Sequence, residues 1–171
     1  MKLLTAGSPE DRGRILDEME DDQEKRRRAV EEFLNNDEDF AQYELYEDRK
    51  EIYEQMPGLR AAMQEKGSPM TGAQEEELVE AIHEASVQSR FRAEWDGRGA
   101  FEQFERPGAS RRFEENWDEM QRLLHEDAGT IFETPEQQEV FREHQNQVGN
   151  MALMGIKFVE GMIETQRGTD E

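Results

Sequence analysis

The chain has 171 residues, 42 acidic and 21 basic, a formal charge of −21 and only 34% hydrophobic residues, a size that suits one domain. With no Cys, disulfides, thiolate metal sites and sulfur redox chemistry are excluded, and three His supply little for a histidine metal cage. So large a negative charge repels nucleic-acid phosphate, which removes nucleic acid from the expected partners. No stretch approaches the run of about 18 apolar residues that a membrane span needs. The opening Met1 to Gly7 reaches Ser8-Pro9-Glu10 too soon to form the apolar centre of a secretory signal. The expected location is the periplasm if an export signal has been removed and the cytoplasm if Met1 is the native start. A 37% charged fraction nears that of disordered chains, yet only five Pro and a strong helical period argue for thin-cored helices.

In chain order, Ser8-Pro9-Glu10-Asp11 reads as an N-cap, a first-turn Pro and acids at the positive end of the helix dipole. The helix it opens carries Ile15, Leu16, Met19, Val30, Phe33 and Leu34 at helical spacing, with a charged middle from Glu20 to Arg28. That middle reads as a solvated stretch with acid–base pairs three and four apart, and Lys25 to Arg28 as a candidate anion or partner contact. Asn35-Asn36-Asp37 breaks and recaps the chain, and Phe40, Tyr43, Tyr46 and Ile52 predict a second helix that Pro57-Gly58 kinks or ends. A short continuation through Leu59, Ala62 and Met63 closes at Gly67.

Two T-x-x-Q boxes follow, Thr71 to Gln74 and Thr134 to Gln137. In a capping box the Thr hydroxyl accepts from the backbone N–H three residues on, while the Gln side chain returns to the Thr N–H. Each box therefore starts a helix. The first runs through Leu78, Ile82, Ala85 and Ser89 toward Trp95, and the second through Val140, Phe141, His144, Val148 and Met151 to about Ile163. Between them 96–109, with Gly97, Gly99, Pro107 and Gly108, reads as a loop, from which Phe101 and Phe104 tuck back onto the helices. Ser110 is the expected cap of the next helix, where Phe113, Trp117, Met120 and Leu124 form a packing seam. No strand pattern stands out.

The segment from Val148 to Ile163 carries apolar residues on all sides of its helix, and something must cover it: the domain itself, a second copy or a protein client. Methionine adapts to different apolar shapes, which suits loose recognition as well as core filling. Met151, Met154, Phe158 and Met162 are the candidate partner-binding anchors, with Trp95 and Trp117 lining the helices opposite. Gly149, Gly155 and Gly161, six apart, travel around the helix and make no close-packing motif.

The two boxes, each opening a helix, resemble the paired L-T-x-x-Q motifs of the Spy and CpxP type of periplasmic stress proteins. A broader stretch resembles an uncharacterised group of proteobacterial helical proteins, often exported. Its pieces here are Phe40 to Asp48, Gly67 to Gln74, Pro135-Glu136-Gln137 with Phe141, and Met154 to Phe158. The resemblance implies an all-helical envelope protein and, for the Spy type, a dimeric ATP-independent chaperone cradle. The chain departs from it in having Met70 and Glu133 where the Leu stands, and in being strongly acidic where the Spy cradle is basic.

His83, His125 and His144 show no mutual ligand spacing and are expected at the surface or in seams, so no metal or other cofactor is expected. No G-x-S-x-G, phosphate-cradling glycine loop or Cys nucleophile is present, and carboxylates are too abundant for one pair to stand out as acid and base. The expectation is a single all-α domain over 1–171, an elongated bundle of about five helices with a long first and a kinked second helix and disordered tails at 1–7 and 167–171. The expected function is non-enzymatic protein binding, chaperone-like and dimeric, with the chain itself or unfolded segments as partners and no membrane span. The alternative is an acidic structural or adaptor module with a buried C-terminal helix, and a third reading is a metal-responsive sensor.

Overall fold

The computed structural model describes residues 9–167, among which every regular element is an α-helix. The expected Ser8 cap and the tails 1–7 and 168–171 lie outside the described residues, and Arg167 is the last residue of a helix. The helices are α1 (Pro9–Leu34), α2 (Asp37–Glu65), α3 (Gly72–Gln88), α4 (Phe91–Trp95), α5 (Gly97–Glu105), α6 (Ala109–Ile131) and α7 (Pro135–Arg167). The protein is all-α, with seven described helices in place of about five. The extra ones come from the segment between the two T-x-x-Q boxes.

There the first box helix stops at Gln88 because Arg90 takes a left-handed conformation, φ 61°, and α4 starts anew. The expected loop at 96–109 contains α5, and its glycines serve a tight corner. A Cβ on Gly99 would collide with the Ala93 carbonyl oxygen, so α5 folds back onto α4 closer than any other residue would permit. Arg112 then closes the α5–α6 turn, donating to the Gln103 side chain and to the carbonyls of Gln103, Arg106 and Pro107.

The chain divides into two compact units, 1–48 and 49–171. In the first, Asn35 takes a positive φ of 45° after α1, and the Asn36 side chain accepts from the Glu38 N–H at 2.9 Å to start α2. Among its described residues Leu16 and Phe40 are the buried apolar ones, and the Arg27 guanidinium lies 5.0 Å over the Phe40 ring while bonding Glu44. The other basic residues of that run are also engaged: Lys25 with Asp22, Arg26 with the Asp22 carbonyl and Arg28 with Glu24. Only Arg27 reaches across to α2; the other three pair within α1 at the surface.

In the second unit α2 continues through Pro57 to Glu65 as one helix. A proline inside a helix costs about 3 kcal/mol. Met56, Leu59 and Met63, all at 1% exposure or less, share the inward face around it, and burying them contributes roughly 1.5–3 kcal/mol each. Burial outweighs the break. Gly67, at φ 74°, ends the helix: its N–H reaches the Gln64 carbonyl and the Ser68 N–H reaches that of Met63, the two bonds of a Schellman close. The core joins this stripe to Leu78, Val79 and Ala85 of α3, Met120 and Leu124 of α6, Phe132 at the end of α6 and Phe141 in α7. α3 packs on α6 and α6 on α7, with the expected seam of α6 continuing to Ala128 and Ile131.

Both boxes open helices, but not alike. Thr71 makes the full reciprocal box with Gln74. At the second, the Thr134 hydroxyl accepts from the Gln137 N–H at 3.2 Å, while the Gln137 side chain leaves its own helix start and donates to the Pro69 carbonyl at 3.0 Å. Gln74 in turn donates to the Ile131 carbonyl at 3.0 Å. Each glutamine therefore reaches the backbone just ahead of the other's box, and the two amides meet at 3.4 Å, buried.

Candidate functional site

α7 is the element on which the candidate residues lie, and its two sides differ. At about 100° per residue, Gln145, Gly149, Leu153, Ile156, Glu160 and Ile163 share one side, and all are buried or half-buried. Four contacts seat this side on the rest of the unit. Gln145 accepts from the buried Gln121 at 3.2 Å. Gly149 admits Trp117 so closely that a Cβ would stand 2.5 Å from the indole nitrogen. Lys157, at the border between the two sides, pairs with Glu114 at 3.6 Å.

Glu160 makes the fourth contact, accepting from the backbone N–H of Ala109 at 2.7 Å and of Ser110 at 3.2 Å. It caps the start of α6, whose own N-cap Gly108 has no side chain to do so, and the expected cap Ser110 lies inside the first turn. Burial alone would raise the Glu160 carboxyl pKa, but the Ser110 hydroxyl and the N–H groups of Ser110, Ala109 and Gly108 outweigh it and hold the pKa below the usual value.

The opposite side of α7 carries Met151, Met154, Phe158 and Met162, exposed by 67, 70, 70 and 42%. They lie within about 40° of one another's mean direction, one stripe on one face. Taking on the order of 200 Å² for a side chain of this size, the stripe leaves about 500 Å² of apolar surface in water, a large patch for a single copy. From Gln147 to Thr165, every position within about 80° of Phe158 is uncharged, in a chain whose charged fraction is 37%.

Trp95 and Trp117 stand elsewhere. They belong to an aromatic cluster with Phe91, Phe104 and Phe113: Trp95 meets Phe113 edge-on at 5.1 Å, and Phe91 meets Trp117 at 5.5 Å. Trp117 touches α7 at Gly149, about 180° around the helix from Phe158, so it seats the inner side of α7 and lies away from the methionine stripe, and Trp95 packs on Phe104 and Phe113.

The histidines are apart from one another in role. The Arg92 guanidinium sits 3.0 Å from the His83 Nε2. His125 borders an open depression of about 250 Å³ with Gly129, Gln138, Phe141 and Arg142. His144 has a buried Nδ1 without a hydrogen-bond partner, and burial lowers its pKa. Among the described residues no three His, Asp or Glu side chains are grouped to hold a metal ion, and no helix is long and apolar enough to cross a membrane.

The chain matches no protein-family model, no curated protein and no solved structure. Sequence reasoning missed Glu160, Gln121 and Gln145, because a capping acid from another helix and a buried amide pair leave no local spacing to read. Gly149 left a signal, a glycine mid-helix with no turn to make, that a search for one-face glycine repeats passes over.

Proposed function

We propose that this chain is a non-enzymatic protein-binding domain that engages polypeptide through the outward face of α7, in the manner of an ATP-independent chaperone. The observation that carries this reading is the exposure of Met151, Met154, Phe158 and Met162 along one uncharged face, while the other side of the same helix is fixed by Trp117, Gln121 and the start of α6. Rigid seating with an adaptable surface suits recognition of varied apolar segments. The resemblance of the two T-x-x-Q boxes to Spy- and CpxP-type proteins supports an envelope stress role, and the acidic surface favours clients with basic residues flanking their apolar stretches. A purely structural module with α7 sealed inside would leave no such face.

The test is suppression of aggregation of a chemically unfolded model protein. The full chain should reduce light scattering at several-fold molar excess, and Phe158→Asp should lose that effect while keeping the helical circular dichroism of the parent. No suppression by the parent chain would overturn the reading.

A further inference from the structure

The lack of Cys removes thiol chemistry, but the chain has nine methionines, and a thioether sulfur can also be oxidised. The fold sorts them. Met56, Met63 and Met120 are buried, at 1, 0 and 4% exposure, and Met70 packs on the core they share. Among the described residues the exposed methionines are Met19 on α1 and Met151, Met154 and Met162 on α7. Three of these four stand on the outward stripe, with Met154 and Met162 one turn either side of Phe158. An oxidant arriving from solvent meets that stripe and not the core.

The way α7 is seated is the second observation. Its inner side is held by Trp117 against Gly149, by the Gln121 and Gln145 amides and by Glu160 at the start of α6, and none of these contacts uses a methionine. The outer side can therefore change chemically while the helix stays in place.

We propose that Met151, Met154 and Met162 form an oxidation site, at which a hydroperoxide turns this apolar face polar and so closes it to apolar polypeptide. A sulfur lone pair attacks the outer oxygen of the hydroperoxide, and the S–O bond forms as the O–O bond breaks. The departing oxygen takes the proton and leaves as water or an alcohol; sulfur is oxidised by two electrons and the peroxide reduced by two. The reverse step needs an external dithiol, because the chain has no thiol of its own: the sulfoxide oxygen leaves as water and the dithiol closes to a disulfide. A sulfoxide accepts hydrogen bonds from water, so covering it with an apolar segment costs that hydration. Between Met151 and Met162 the face otherwise carries only Phe158, Gly155 and Gly161, which offer no side-chain donor in exchange. Three flexible apolar side chains become three hydrated ones around a single phenyl ring.

The loss of binding rests on the reading of this face as protein-binding, whereas the selectivity of the chemistry does not. The full chain is treated with hydrogen peroxide, the peroxide is removed, and peptide mass mapping locates the added oxygen. Met19, Met151, Met154 and Met162 should each gain one oxygen before Met56, Met63 and Met120 gain any, with the helical circular dichroism unchanged. The oxidised chain should need a several-fold higher concentration to suppress aggregation of an unfolded model protein, and should take up several-fold less of an apolar dye. Methionine sulfoxide reductases for both epimers, supplied with dithiothreitol, should restore both. Met19→Leu should respond to peroxide as the parent does. In the chain combining Met151→Leu, Met154→Leu and Met162→Leu, each readout, compared with the same chain untreated, should not move on peroxide treatment.

Oxidation of the buried methionines at the same rate, a fall in helix content in step with sulfoxide formation, or a triple-leucine chain as sensitive as the parent would each overturn the proposal. Undiminished suppression after all three outward methionines are oxidised would sink it and spare the proposed function. An untreated chain that suppresses nothing, yet takes up dye until these methionines are oxidised, would do the reverse.

Discussion

Gln74 and Gln137 meet amide to amide at 3.4 Å, 63 positions apart, and each donates to a backbone carbonyl ahead of the other's helix: Gln74 to Ile131, Gln137 to Pro69. Two local helix starts are thereby locked into one tertiary contact. Gln74 remains a member of its own capping box, whereas Gln137 gives up that local bond for the long-range one. Both side chains are buried, so an amide removed from either leaves its carbonyl partner without a donor.

Replacing Gln74 or Gln137 by Leu is expected to cost about 1–3 kcal/mol each. The double variant should lose less than the sum of the two, with a coupling of about 1 kcal/mol measured by urea denaturation in a double-mutant cycle. Additive losses would mean that the two amides act independently. Thr71→Ala and Thr134→Ala should each cost about 0.5–2 kcal/mol by the same measurement.

The same substitution at two glycines of α7 should have opposite signs. Gly155→Ala adds a methyl group in open space and improves helix propensity, so the monomer should gain roughly 0.5–1 kcal/mol. Gly149→Ala places a Cβ 2.5 Å from the Trp117 indole nitrogen, and overpacking of this kind costs about 1–3 kcal/mol. Thermal unfolding of Phe158→Asp, used as a common background so that self-association does not contribute, checks both.

The Glu160 carboxylate is held at a depressed pKa by its contacts to the start of α6. A carboxyl whose folded pKa lies below its unfolded value contributes stability that is present above the unfolded value and lost as pH falls through the folded one. Glu160→Gln should therefore destabilise the protein by about 0.5–1 kcal/mol at pH 7. The gap to the parent should close as pH falls below about 4.3. Other carboxylates titrate in the same range, so the difference between the two melting curves, rather than either alone, carries the result.

His144 runs by the same sign at a higher pH. Burial lowers its folded pKa, so protonation favours the unfolded chain, and stability is lost as pH drops below the ordinary imidazole value of about 6.5 toward the folded one. Its Nδ1 is buried without a partner even when neutral. His144→Leu should raise stability by roughly 1 kcal/mol at pH 8 and by more at pH 5. A variant less stable than the parent at both pH values would show that the imidazole is satisfied.

What could be read from the sequence was local. Thr71, Thr134, Asn36 and Gly67 announce helix ends because caps are built from side chains a few residues away, and the α6 seam is a spacing within one helix. The failures all involve a distant partner. Pro57 reads as a kink or an end of the helix, and α2 runs through it as one element with three buried side chains on its face. The glycines of 96–109 read as a loop, whereas Gly99 is there for the Ala93 carbonyl. The apolar character of α7 is evident from composition; which of its residues face out depends on Trp117 choosing Gly149 as its seat.

That choice also gives the molecule a built-in optical probe. Both indoles of the protein sit in one aromatic cluster, Trp117 directly beneath α7 at Gly149 and Trp95 joined to it through Phe113. Lifting of α7 would wet Trp117 and shift its emission to longer wavelength. Binding on the methionine side, half a helix circumference away, should leave the spectrum nearly unchanged, so a single fluorescence trace separates occupation of the outer surface from detachment of the helix.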